Sequence, residues 1–147
     1  MIFVSFVYFF GLFSESLSLT DPVDKSVLVD LYNSSSGANW ASNYGWSNIS
    51  SDPCFDSWYG ITCTSELDVQ HVTVIDLNDN HLAGNIYSVR FNFLVQLEIV
   101  NLKGNDLLSL FPQSILASES LKLIDLSSNQ AFYVWLYPIK PYDITLG

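Results

Sequence analysis

At 147 residues the chain has room for one domain of ordinary size, and its 49% hydrophobic content is inflated by an apolar amino terminus. Asp and Glu number 15 against five Lys and Arg, a formal net charge of −10, and Lys25, Arg90, Lys103, Lys122 and Lys140 are scattered singly. No basic stripe exists to meet a phosphate backbone, which argues against nucleic-acid binding; the acidity reads first as solubility and second as a bias toward a basic partner.

Met1 to Phe13 (MIFVSFVYFFGLF) is almost wholly apolar, and Ser16 and Ser18 are small residues at cleavage spacing. Residues 1–18 therefore read as a secretory signal peptide cut near Ser18-Leu19, and Glu15 leaves with it. The stretch is shorter than the ~20 helical residues that span a bilayer, so no membrane span is expected and the chain reads as secreted or extracellular. Residues 19–66 read as a cap. Asp21-Pro22 supplies a helix N-cap and a first helical position where the missing proline N–H is not needed. Val23, Val27, Leu28 and Leu31 then share one face up to about Tyr32, and Asn33-Ser34-Ser35-Ser36-Gly37 ends the helix.

From Ala38 to Cys63 the pattern is loop-like and holds Trp40, Trp46 and Trp58. Aromatics on loops can present a sugar-binding face; here a lid over the end of the repeat stack is favoured, because an uncovered end exposes core. Cys54 and Cys63 fit a single disulfide in an exported protein, a pair of reduced buried thiols being the alternative. Asn33-Ser34-Ser35 and Asn48-Ile49-Ser50 are N-glycosylation sequons in polar loops, and their presence before the repeats agrees with export.

Residues 67–130 repeat a pattern about three times. Val72-x-x-Ile75-x-Leu77-x-x-Asn80-x-Leu82 returns as Leu97-x-x-Val100-x-Leu102-x-x-Asn105-x-Leu107 and again as Leu121-x-x-Ile124-x-Leu126-x-x-Asn129. The spacing lies in the leucine-rich-repeat range of roughly 20–29 residues. Ile75 and Leu77, Val100 and Leu102, Ile124 and Leu126 alternate as short strands do and point into the core, while Val72, Leu97 and Leu121 stack from unit to unit. Asn80, Asn105 and Asn129 form a structural ladder, bonding backbone groups of the bend that would otherwise cost ~1–3 kcal/mol each.

The order of a short helix, a tryptophan-containing loop, Asp52-Pro53-Cys54, then Trp58-Tyr59-Gly60-Ile61-Thr62-Cys63 and the repeats resembles plant-type leucine-rich-repeat proteins. That family includes receptor-like kinase ectodomains and polygalacturonase-inhibiting proteins, and the resemblance covers Asp21 to about Asn129. It implies an α/β leucine-rich-repeat solenoid with short parallel strands, and an N-terminal cap sealed by a Cys54–Cys63 disulfide. It also implies perception of a ligand or inhibition of a foreign hydrolase. The family often follows the asparagine with Leu-x-Gly-x-Ile-Pro. Here the first unit runs Leu82-Ala83-Gly84-Asn85-Ile86 and then has Tyr87 for proline, and the second, Leu107-Leu108-Ser109-Leu110-Phe111-Pro112, lacks the glycine. Residues 131–147 read as an atypical tail without a further unit or a polar closing cap. It either folds back as an improvised lid through Phe132, Tyr133, Trp135, Leu136 and Tyr137, or the chain is the amino end of a longer protein; the second reading is preferred.

Chemistry is sparse. Asp76-x-Asn78-x-Asn80 starts like a calcium loop, but His81 stands where glycine is needed and Tyr87 where glutamate is needed. His71 and His81 read as surface histidines beside a strand. No GxSxG, GxxxxGK, CxxC or HExxH occurs, so neither an enzyme, a cofactor nor a metal is expected. The side chains that alternate with the core form three outward columns on the concave face: Val74-Ile99-Leu123, Asp76-Asn101-Asp125 and Asn78-Lys103-Ser127. An apolar column beside polar acceptors suits a protein or peptide ligand. The expectation is an extracellular, non-catalytic recognition module, with assembly by self-association through an uncapped third repeat as the alternative.

Overall fold

The structure is a computed structural model that describes residues 19–66, 68–133 and 143–145. The signal-peptide reading, and Trp135, Leu136 and Tyr137 of the improvised lid, lie outside the described residues.

The amino end begins with β1 (Leu19–Thr20) and helix α1 (Pro22–Ser34). Asp21 caps the helix, its Oδ1 accepting the N–H of Val23 at 2.7 Å, and Pro22 opens it. The helix runs two residues beyond the expected end. It stops at Ser35, whose backbone N–H and hydroxyl both donate to the Leu31 carbonyl. Val27, Leu28 and Leu31 are fully buried, but Val23 is 48% exposed. The buried stripe is instead 24, 27, 28 and 31, and its fourth member is a carboxylate: Asp24, which accepts the N–H of Val72 at 2.8 Å.

Two sheets built mainly of parallel strands follow. In the larger, β3 (Val69–Asp76), β5 (Ile99–Asn101), β7 (Leu123–Asp125) and β9 (Asp143–Thr145) lie side by side in parallel. β1 pairs parallel with the start of β3, and β2 (Ile61–Glu66) pairs antiparallel with β3. The second sheet is β4 (Ala83–Gly84), β6 (Asp106–Leu110) and β8 (Ala131–Tyr133). Short 3-10 turns at Phe91–Phe93 and Gln113–Ala117 return the chain to the next strand. The fold is thus α/β with parallel strands, and β8 and β9 correct the expectation that the pattern stops at the third unit. Ile144 pairs with Ile124, only 20 positions on, and proline replaces leucine three residues before it. That shortened offset hid the added strand.

The core lies between the two sheets. Ile75, Val100 and Ile124 line up in register, with Leu77, Leu102 and Leu126 beside them, and Val72, Leu97 and Leu121 begin each unit, all buried. Asn105 Oδ1 accepts the N–H groups of Asn80 (3.0 Å) and Leu82 (2.9 Å), and its amide donates to the carbonyls of Leu77 and Leu102. Asn129 repeats this one unit on, accepting from Leu107 and donating to Leu102 and Leu126. Each ladder asparagine therefore ties its own bend to the preceding unit. Asn80 has no preceding unit and uses the cap: its side chain exchanges both hydrogen bonds with the backbone of Ser42, at 2.7 and 2.9 Å.

The tryptophans form the lid and are buried, which removes the sugar-binding face. Trp46 sits at the centre, 4.9 Å from Trp40, 5.0 Å from Trp58 and 6.2 Å from Tyr32, centroid to centroid. Each indole N–H is bonded: Trp40 to the Ser35 carbonyl, Trp46 to the Tyr59 carbonyl, Trp58 to the Ser51 hydroxyl. Cys54 and Cys63 are joined in a disulfide with their Cα atoms 5.8 Å apart.

Candidate recognition surface

The parallel strands set the geometry of the face expected to recognise a ligand. Val74, Ile99 and Leu123 are register partners, as are Asp76, Asn101 and Asp125, so the first two columns assemble as strips across three strands. At a strand spacing of ~4.8 Å, each strip is about 10 Å long. β9 adds one more strand in backbone register, with Asp143 the partner of Leu123 and Thr145 of Asp125. The apolar strip is half-buried. In the polar strip Asp76 is exposed, and its Oδ1 accepts the amides of Asn78 (2.6 Å) and Asn101 (2.9 Å). Those two bonds fix the carboxylate in place without covering it.

The third column is less uniform. Lys103 is exposed and Asn78 half-buried, but Ser127 is 8% exposed and does not face a ligand. The chain has already begun to turn inward there. The Ser127 carbonyl accepts the N–H of Gly104, and its own N–H donates to Asp125 Oδ1 at 2.9 Å. At the edge of the face Lys122 and Glu98 pair at 2.8 Å, an exposed contact worth at most ~1 kcal/mol.

Other candidate residues are structural in this arrangement. Asn80 turns inward to Ser42, so the calcium-like run cannot converge on one point. Among the described residues no group of three or more His, Cys, Asp or Glu is placed to hold a metal. His81 is exposed, as expected, but His71 is largely buried and its Nδ1 lies 3.4 Å from the Asp24 carboxylate, out of line for a hydrogen bond. Burial pushes the Asp24 carboxyl above its ordinary value, against the lowering effect of the Val72 N–H and of His71. Burial also acts upward on Asp52, but the N–H of Phe55, the hydroxyl and N–H of Thr20 and the N–H of Cys54 outweigh it and hold that carboxyl low. Asp52 thereby pins β1 to the disulfide loop, a role its sequence neighbours did not announce.

Sequence reasoning also missed the outer side of the second sheet. Along β6 the leucines do not all face the core: Leu107 and Ser109 are buried, while Leu108 is 53% exposed and Leu110 also faces out. Ser109 compensates for its burial by donating to Asn85 Oδ1 or the Leu110 carbonyl. The signal was present in Leu107-Leu108-Ser109-Leu110, which reads as strand once the period of two is applied instead of a family motif. Of the sequons, Asn48 lies in a loop as expected, whereas Asn33 sits in the last turn of α1.

The parallel strands and the disulfide fit the kind of protein to which the chain is similar. Over 85 residues, 58% of this chain, it is 34% identical to phytosulfokine receptor 1 of Arabidopsis thaliana. Over 131 residues, 76% of the chain, it is 28% identical to the STRUBBELIG-receptor family 1 protein of the same plant. Both are plant leucine-rich-repeat receptor-like proteins. The matches cover 8% and 16% of those proteins, so the chain spans less than a fifth of the relatives' length. No protein-family profile matches the chain. No helix among the described residues is long and apolar enough to cross a membrane.

Proposed function

We propose that the chain is an exported, non-catalytic recognition module: a leucine-rich-repeat solenoid that binds a protein or peptide along the concave face of its parallel strands. The observation that carries this reading is the pair of registered strips, Val74-Ile99-Leu123 beside Asp76-Asn101-Asp125. A ligand laid across the strands meets a continuous apolar line for its side chains and a line of fixed acceptors for its N–H groups. The receptor-like relatives support the same reading, and a cleaved leader at residues 1–18 would place the chain at the cell surface or outside it.

Assembly through an open third repeat is less well supported, because β7 has a strand on each side, β5 and β9. The test is selection of random extended peptides on the disulfide-bonded chain, followed by comparison with Ile99→Asp and Leu123→Asp. Both positions are half-buried, so each variant is first matched to wild type by circular dichroism and melting. Peptides that lose at least tenfold in affinity for the variants locate recognition on this face. Peptides that bind wild type and both variants equally place it elsewhere.

A further inference from the structure

We infer that Asn48 carries an N-linked glycan and that its first N-acetylglucosamine seats on the ring of Tyr44. Asn48 lines a shallow depression of about 390 Å³ with Tyr44, Gly45, Ser50, Ser51 and Asp56. That is the lower end of the ~300–1,000 Å³ of small-molecule sites, a size for a single sugar. Tyr44 is 72% exposed, an aromatic face with little of its own chain covering it. A sugar ring over Tyr44 removes that apolar face from water and leaves the sugar hydroxyls solvated.

The sequon is presented for modification. Asn48, Ile49 and Ser50 are all exposed, and Asn48 Oδ1 accepts the Ser50 N–H at 3.1 Å in an Asx turn. That turn commits the side-chain oxygen, while no hydrogen bond among the described residues engages Nδ2, the atom to be glycosylated. The loop beneath is fixed. Ser51 donates its hydroxyl to the carbonyls of Gly45 and Asn48, accepts from Trp58 Nε1 at 2.7 Å, and offers its own carbonyl to Lys25 Nζ. Gly45, at φ +85°, lies so close to Trp58 that a Cβ would strike the ring. Asn33 differs: the hydroxyl of its sequon residue, Ser35, is fully buried and bonded to Leu31.

The step joins Asn48 Nδ2 to C1 of the sugar of a lipid-linked oligosaccharide pyrophosphate. The C1–O bond to phosphate breaks, the lipid pyrophosphate leaves, one amide proton is released, and nothing is oxidised or reduced. The inference rests on the export part of the proposed function and not on its ligand.

The experiment expresses the full chain with its own leader in a eukaryotic secretory host and maps peptides by mass, with and without an N-glycosidase that leaves aspartate at each released site. The same sample reports leader removal and the disulfide. The expected result is Asn48 occupied, with glycan removal lowering the Tm by about 2–4 °C in wild type and leaving it unchanged in Tyr44→Ala. Ser50→Ala, which abolishes the sequon and leaves Tyr44 in place, should melt with the deglycosylated wild type. An exported, leader-free, disulfide-bonded chain with bare Asn48 overturns the inference. Occupied Asn48 whose glycan leaves the Tm unchanged, or shifts it equally in Tyr44→Ala, overturns the seat. A leader-bearing, reduced chain retained in the cell overturns the export reading and the glycan together.

Discussion

In the repeats each stabilising contact occurs several times, whereas in the cap each occurs once. Ile75, Val100 and Ile124 are one rung made three times, and Asn105 and Asn129 make nearly the same set of bonds one unit apart. The cap holds together through Trp46 among three other aromatic rings, one disulfide, Asp52 on Thr20 and the buried Asp24 on Val72. The two meet where Ser42 takes the place of a missing preceding unit for Asn80. A repeat needs a neighbour of its own kind; the cap imitates one with irregular backbone. Damage to a rung should therefore spread along the stack, while damage to the cap should release one particular contact.

The largest effect is expected at the ladder. Asn105→Ala strands two buried N–H groups, of Asn80 and Leu82, and the Leu77 carbonyl, while the Leu102 carbonyl keeps the Asn129 amide; at ~1–3 kcal/mol per orphaned group it should cost about 4 kcal/mol. Asn129 is half-buried and, among the described residues, accepts one N–H, that of Leu107, so Asn129→Ala should cost about half as much. Urea unfolding of both variants checks this, and equal losses would mean that the ladder is not graded by what it satisfies. Next comes the cap: Cys63→Ser should lower stability by roughly 2–4 kcal/mol, as loss of a native disulfide does. A variant melting within a degree of wild type would show that the aromatic cluster alone holds the cap.

That contrast also explains what was legible. The strand register, the core rungs, the ladder and the tryptophan lid follow from period and composition, because periodic contacts leave periodic sequence. Asp24 was not legible, since a carboxylate on the buried stripe of α1 looks like a solvent-facing residue until Val72 is brought to it. The displacement of Val23 to the surface is the same event seen from the other side. Of the candidate strips, the first two columns were readable from alternation; Ser127 was not, because the inward turn toward Asn129 depends on three-dimensional packing.

A smaller effect separates the two cap carboxylates by pH. Asp52 has a lowered value when folded, so its contribution is present above the ordinary 3.8 and is lost as pH falls through the lower, folded value. Asp24 has a raised value, so its contribution is complete below 3.8 and is lost as pH rises through the higher, folded value. Stability measured by urea from pH 2.5 to 7 should show both slopes. Asp52→Asn should flatten the acid limb and Asp24→Asn the limb above 3.8. If Asp24→Asn instead steepens the upper limb, burial does not dominate at that carboxyl.

The smallest expected effect tests the repeats where their sequences differ most. The residue just before each ladder asparagine is left-handed: Asp79 at φ +48°, Gly104 at +67° and Ser128 at +55°. Only the middle unit meets this demand with glycine, and a Cβ on Gly104 would press on the Asp79 carboxylate. Serine pays a steric cost in that region that glycine avoids, offset in part by the greater freedom glycine loses on folding. Ser128→Gly should therefore raise stability by about 0.5–1 kcal/mol, near the resolution of chemical unfolding. Ser128 is exposed and the ladder bonds are made by the Asn129 side chain, so the substitution keeps their donors and acceptors. A loss of stability in Ser128→Gly would mean that the third unit does not hold the left-handed bend of the first two, and would separate it from them as a transition into the tail.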